Sequence, residues 1–562
     1  MKKICTLLLL IAIYILPTTS VIAQENNKVG ISLLQPTSED IQKARALING
    51  KNGEWGYITL VIQENDRDIR KWQDLFDQLR ENHLIPIIRL ATSPQGEVWR
   101  RPEEKDIYEW INFLNKLNWV IQKRYVVLFN EPNHASEWGG EVDPEGYAKV
   151  AYIFAKTLKD SSKDYVVMFA GLDAAAPSAP SQYEDSGIFI KHVFQTEPNL
   201  QNYIDAWASH SYPNPGFSGS VWDTGKKSIQ GYKYELELLK EIGITKDLEV
   251  FITETGWVEG PLSGSQIADN YLIALRDIWG TDNRVRAVTP FVFKYLSHPF
   301  IGFSWVKEGG VSQQYTMVEE LEKKKGMPIQ VQKGTIEVDL PNTLVANSSY
   351  HFPLVIKNNG QGIWSNEDGF VISLQSSSDG IKTLIPTLQN IKPFEESQIF
   401  ITLQTSSKPQ TLTFSFSLQK DGVEITHTKN YIITIEPLPQ LTVKTSLFPK
   451  FISQGEGFEI QLFNKREELV FSRKGLPLRN GIIEIERLSD IVPGETYRAV
   501  LLAYPYIPRQ GILTLHKGKN TVSLRQMLPF DANGNGRIDG GDLAEAIKHP
   551  EFLLRFIPWR QD

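Results

Sequence analysis

The chain has 562 residues, which at ~100–200 residues per domain predicts about three to five domains. Hydrophobic residues make up 41% and charged residues 22%, proportions of folded protein that exclude disordered and collagen-like chains. A net charge of −7 with no basic stripe excludes a nucleic-acid binder, which must neutralise phosphates. The single cysteine, Cys5, excludes disulfides within the chain, Cys-based zinc sites and a Cys nucleophile.

Residues 1–23 read as a secretory signal peptide. Lys2 and Lys3 are followed by the short apolar run Leu7–Leu16 and by Val21-Ile22-Ala23, a small-residue cleavage site. The run stops at Pro17, too early for a membrane anchor of ~20 apolar residues. Cleavage near Ala23 removes Cys5. No later stretch is apolar enough to span a bilayer, so an exported protein is expected.

From residue 28 to 326, strand-like and helix-like segments alternate. The strands are read at Gly30–Leu34, Tyr57–Ile62, Ile85–Leu90, Tyr125–Phe129, Val166–Ala170, Ala206–Ser209, Glu249–Thr253 and Ala287–Phe293. Helical spacing between them is clearest in Asp68–Asn82, where Trp72, Leu75, Phe76 and Leu79 share a face. A last helix is expected over Gln313–Lys325. Eight such units with near-continuous apolar strands predict a (β/α)8 barrel. A doubly wound open sheet would want a glycine-rich phosphate turn after the first strand, and Gly30–Gln35 has none.

Beyond Gly334 the helical period disappears. Alternating segments broken by turns such as Asn359-Gly360 and Asp421-Gly422 predict two all-β modules of the Ig-like sandwich type. They span 334–437 and 440–527, joined by a stiff Pro437-Leu438-Pro439 linker. They read as spacers or carbohydrate-binding modules.

In a (β/α)8 barrel the chemistry sits just past the C-terminal ends of the strands. Asn130-Glu131-Pro132-Asn133 follows the fourth strand, and Glu254, in Thr253-Glu254-Thr255-Gly256-Trp257, ends the seventh. Two glutamates therefore project into one barrel mouth. Glycoside hydrolysis needs such a pair, one to protonate the leaving oxygen and one to attack the anomeric carbon or activate water. Arg89, at the end of the third strand, can hold Glu254 ionised.

These residues resemble the clan A retaining glycoside hydrolases. Phe129-Asn130-Glu131-Pro132-Asn133 matches their acid/base motif, and Ile252-Thr253-Glu254-Thr255-Gly256-Trp257 matches their nucleophile motif. The resemblance implies Glu131 as acid/base, Glu254 as nucleophile and Asn130 on the sugar 2-hydroxyl. It also implies that His210 and Tyr212, ending the sixth strand, contact the nucleophile or the sugar. Trp305 lies near the place where the clan often has a sugar platform, well beyond Phe293, and Trp138 and Trp257 are further stacking candidates. A carbohydrate substrate is implied, with no cofactor for the chemistry. The rival expectation is a non-catalytic carbohydrate-binding or cohesin-docking surface protein on the same scaffold. HExxH and GxSxG motifs are absent, which removes metalloprotease and α/β-hydrolase readings.

The tail, 528–562, contains a twelve-position loop from Asp531 to Asp542. Oxygen ligands fall on Asp531, Asn533, Asn535, Asp539 and Asp542, with the Arg537 carbonyl at position seven and Gly536 at the turn. That is a Ca2+ pattern. Asp at the twelfth position and the lack of a clear preceding helix make it resemble a dockerin repeat. Dockerins carry two loops, and Glu551–Asp562 holds no second. A structural Ca2+ clip is therefore expected ahead of a cohesin-like partner.

Overall fold

The computed structural model describes residues 27–376, 379–449 and 454–551. The expected signal peptide and residues 552–562 of the tail lie outside the described residues. The chain divides into two compact units between Val331 and Gln332.

The first unit contains eight parallel strands, hydrogen-bonded in chain order. They are β1 (Gly30–Leu33), β2 (Gly56–Gln63), β3 (Leu84–Ala91), β4 (Arg124–Val127), β5 (Tyr165–Phe169), β6 (Ala206–His210), β7 (Glu249–Glu254) and β8 (Val285–Val288). The sheet closes on itself through a parallel bridge between Val29 and Val288 and a bond from Val288 N–H to the Lys28 carbonyl at 2.9 Å. Closure leaves no sheet edge unpaired. Helices in the connections cover the outer face and side chains fill the closed interior, so the strands are apolar almost throughout.

Local chemistry sets the helix ends. Asp68 caps α1 (Ile69–Glu81) by accepting from the N–H groups of Arg70 and Lys71. Asp143 caps α2 (Pro144–Ser161), with proline at its first position. The last helix of the unit, α3 (Gln313–Glu319), is shorter than the expected Gln313–Lys325. Lys323 is buried, and its ammonium donates to the carbonyls of Val318, Glu319 and Leu321. Capping these orphan carbonyls ends the helix.

The second unit is all-β until its tail. One four-stranded sheet runs Gly334–Val338, Ser349–Asn358, Glu396–Thr405, Ile381–Leu384. A five-stranded sheet contains Thr343–Val345, Tyr431–Glu436, Gln410–Lys420, Phe370–Ser376 and Val423–His427. Three- and four-stranded sheets follow between Gln440 and Ser523. A single apolar core runs from Ile336 to Met527, with Leu438 packed against it. The Pro-Leu-Pro junction is thus tied down: the Pro439 carbonyl accepts from Leu488 N–H at 2.9 Å. Tyr350 Oη reaches across to the Ile491 carbonyl at 2.8 Å.

Candidate active site

The site is assembled at the C-terminal ends of β3 to β7. A β-bulge between Ser209 and His210 brings His210 into register with Glu254 on the neighbouring strand. Arg89 sits between Val61 and Val127 in register, on the inward side of β3. After β4 the backbone turns sharply. Phe129 has φ +72° and Glu131 φ +34°, a region that costs non-glycine residues about 1–3 kcal/mol and clusters at functional sites. The turn is held from the next strand: Glu131 N–H donates to the Gly171 carbonyl at 3.0 Å. Fully buried Asn133 bonds the Asp173 and Glu184 carbonyls, each at 3.0 Å.

The side chains converge. His210 Nδ1 lies 2.8 Å from Glu131 Oε1 and 3.8 Å from Glu254 Oε2. One carboxylate oxygen of Glu131 and one of Glu254 lie within 4.8 Å of each other. Arg89 Nη1 donates both to Glu254 Oε1 and to Asn130 Oδ1, the latter at 2.7 Å. Tyr212 Oη donates to Glu254 Oε2 at 3.0 Å. Thus Arg89, Asn130, Tyr212 and Glu254 form one hydrogen-bonded set and Glu131 and His210 a second, the two facing each other across the His210–Glu254 contact.

Electrostatics separate the groups. Burial pushes the Glu254 carboxyl up, but His210, Arg89 and the Tyr212 hydroxyl outweigh it and hold the carboxyl below its ordinary value. Burial pushes His210 down, yet the charge of Glu254 and the bond to Glu131 leave it raised. Burial also drives the Tyr212 hydroxyl well above its usual range, with the charges of Glu254 and Glu131 adding to the effect. Glu131, His210 and Glu254 are, among the described residues, the one group of His and acidic side chains tight enough to hold a metal ion. The Arg89 guanidinium bonded to Glu254 puts a positive charge beside any cation there.

The mouth opens into a chamber of about 450 Å3 that Arg89, Asn130, Glu131, Tyr212 and Glu254 line. A second chamber of about 710 Å3 shares Leu34, Val61, Arg89, Trp99 and Tyr295 with it. Together they make one cleft.

Several lining residues were not singled out from the sequence. Glu137 accepts from Asn130 Nδ2 at 3.1 Å. Burial lifts its carboxyl above the ordinary value, with the Asn130 bond opposing and the charge of Glu131 adding. His134 and Asp173 pair at 2.8 Å. One wall is aromatic, built from Phe217, Phe291, Tyr295, Phe300 and Phe303, with Trp99 elsewhere on the lining. Gly171 has a steric role: a Cβ there would stand 2.1 Å from the His210 ring. Asp173 and Gly171 follow β5 directly, in the same strand-end position that marks Glu131 after β4. His134 and Glu137 lie in the same loop as Glu131.

The tryptophan expectations need correction. Trp257 and Trp305 do not line the cleft; both pack edge-on against Tyr271 in the core. The chain after β8 makes an excursion and returns, with Trp305 N–H bonded to the Val292 carbonyl at 3.1 Å, which turns the indole inward. Trp138 borders the chamber but is fully buried, edge-on to Phe129 and Tyr147. It has no open face for a sugar ring.

The tail loop is a compact turn on the second unit. Gly536 N–H donates to Asp531 Oδ2 at 2.9 Å, Asn533 N–H to Asp542 Oδ1 at 3.2 Å and Asp539 N–H to Asp542 Oδ2 at 2.7 Å. The Arg537 N–H bonds Asn535 Oδ1 at 2.9 Å. Asp531 Oδ1 is buried without a hydrogen-bond partner. Asp531 N–H donates to the Pro505 carbonyl, and Tyr504 Oη to the Ala532 carbonyl.

No protein-family model matches the chain, and no curated protein matches it in sequence. Among solved structures it is similar to a GH128 (subgroup II) endo-β-1,3-glucanase from Pseudomonas viridiflava, at 12% identity over 52% of this chain and 97% of that one, TM-score 0.36. A β-mannanase from Thermomonospora fusca matches at 12% identity, covering 53% of this chain and 92% of that one, TM-score 0.35. A family 51 α-L-arabinofuranosidase from Bifidobacterium longum matches at 9% identity, covering 68% and 97%, TM-score 0.39.

Proposed function

We propose that the protein is an exported glycoside hydrolase that cleaves β-glycosidic bonds with retention. The observation that carries this reading is the spacing of Glu131 and Glu254, with carboxylate oxygens within 4.8 Å. Retaining enzymes hold their carboxyl groups ~5–5.5 Å apart, whereas inverting ones leave ~6.5–9.5 Å for a water. A non-catalytic carbohydrate-binding scaffold has no need of two carboxylates at that distance in a cleft.

The roles follow from the partners. Glu254, kept ionised by Arg89, His210 and Tyr212, attacks the anomeric carbon. Glu131 gives its proton to the departing glycosidic oxygen. A covalent glycosyl-enzyme results. Glu131, now a carboxylate, takes a proton from water as the water oxygen attacks the same carbon and releases Glu254. Asn130, fixed by Arg89 on its oxygen and Glu137 on its nitrogen, keeps one N–H for a sugar hydroxyl. Arg89, His210 and Tyr212 act through Glu254 and Glu131. No cofactor enters these steps.

The tail loop fits Ca2+. Buried Asp531 Oδ1 has no partner, and the remaining oxygens are the hard, partly charged donors the ion prefers. Asp531, Asn533, Asn535, Asp539, Asp542 and the Arg537 carbonyl would hold it, as a clip on the second β module. A cohesin-like partner remains the lesser reading of the same loop.

The test is reducing-sugar release across a panel of β-linked polysaccharides. Glu131→Gln is expected to lose about 10²–10⁴-fold, the scale of general acid–base catalysis. Glu254→Gln should lose on the order of 10⁴-fold or more. A wild type inert on every substrate, or variants as active as the wild type, contradicts the assignment.

A further inference from the structure

We propose that the cleft takes an uncharged glycan, and that Glu137 enforces this choice; the inference rests on the glycosidase reading. Four carboxyl groups line the catalytic chamber, on Glu131, Glu137, Asp173 and Glu254. The guanidinium that faces them, Arg89, is already bonded to Glu254 and Asn130. His134 is bonded to Asp173. In the adjoining chamber Lys294 lines the wall, and its ammonium reaches Asp40 at 3.2 Å. Each cation lining the cleft, among the described residues, is therefore already paired with a carboxylate.

A carboxylate or sulfate on the substrate would meet the Glu137 carboxyl, the one of the four that pairs with no cation among the described residues, while the cations nearby already face carboxylates. Like charges brought together at an interface cost several kcal/mol, and built-in repulsion is how many sites refuse a competitor. Hydroxyl groups meet the opposite situation, because carboxylates accept their hydrogen bonds. Of the four carboxyls, Glu131 and Glu254 are occupied by the chemistry and Asp173 by His134. Glu137 bonds Asn130 through Oε2 and has acceptor capacity left at the chamber wall. It is the specificity residue in this arrangement.

The experiment uses the full chain and a matched pair of polymers. Whichever neutral polysaccharide is cut best is prepared as hydroxyethyl and carboxymethyl derivatives of equal substitution. At pH 7 and low salt the hydroxyethyl polymer should be cleaved at least about tenfold faster, the scale of a like-charge penalty. Raising salt from about 0.01 M to about 1 M shortens the screening length from about 30 Å to about 3 Å and should narrow that ratio in the wild type. Glu137→Gln, which keeps an oxygen for Asn130, should narrow it at low salt. Glu337→Gln, an equal charge change at an exposed site on the β-sheet unit, should leave it unchanged. Equal rates on the two polymers, or a ratio that Glu137→Gln leaves where it was, overturns the proposal. Inactivity on every parent polysaccharide instead overturns the glycosidase reading, and this inference falls with it.

Discussion

At the scale of single residues, the site depends on a few groups with more than one partner. Arg89 is shared between Glu254 and Asn130, so its loss should act twice. Glu254 is held below the ordinary 4.5 by His210, Arg89 and Tyr212 against burial. The nucleophile must be ionised to attack, and the acid limb of kcat/KM reports that ionisation in the free enzyme. The acid limb of the rate profile should therefore lie below pH 4.5 in the wild type. Arg89→Leu should move that limb upward and lower kcat, read from a pH profile of kcat/KM; an unmoved limb would show that Arg89 does not hold Glu254 ionised. Gly171 makes a second case. Alanine there meets the His210 ring at 2.1 Å, and the ring is fully buried. Gly171→Ala should cost about 1–3 kcal/mol of stability, as overpacking does, and should reduce activity by displacing His210 from Glu131. Thermal unfolding and kinetics on the same variant check both.

At the scale of elements, the strands were legible because the barrel buries them on both faces and their sequences are nearly all apolar. The convergence of Glu131 and Glu254 on one mouth was legible because Glu131 follows β4 and Glu254 ends β7. The tryptophans were not, because an indole gives no sign in sequence of which way it faces; Trp305 is turned by the hydrogen bonds of a returning segment. The aromatic wall was missed for the same reason. Phe217, Phe300 and Phe303 come from loops after β6 and β8, whose course no period predicts. The distinction is measurable. Trp305→Phe should lower the unfolding temperature and leave KM near its wild-type value. Trp99→Ala, on the cleft lining shared by both chambers, should raise KM several-fold with little effect on stability. The reverse pattern would return Trp305 to the substrate.

At the scale of the whole molecule, the sequence marks the change from barrel to β-sheet texture near residue 334, and the structure divides between Val331 and Gln332. The expected linker at Pro437-Leu438-Pro439 instead packs into a core common to both β modules. Composition signals a stiff segment, but burial of Leu438 depends on the partner surface. The tail loop reports on the same unit. Chelation with EDTA should lower the unfolding temperature of the full chain by several degrees, the effect of removing a ligand that binds only the folded state. Added Ca2+ should restore it, and Asp531→Asn should blunt the response. Insensitivity to both treatments would remove the ion from the account. The central claim is double displacement by Glu131 and Glu254, and the stereochemistry of the product tests it most directly. Proton NMR during cleavage of a β-linked substrate should show the β-anomer appearing first, before mutarotation. First release of the α-anomer would mean inversion and would contradict the roles given to both glutamates.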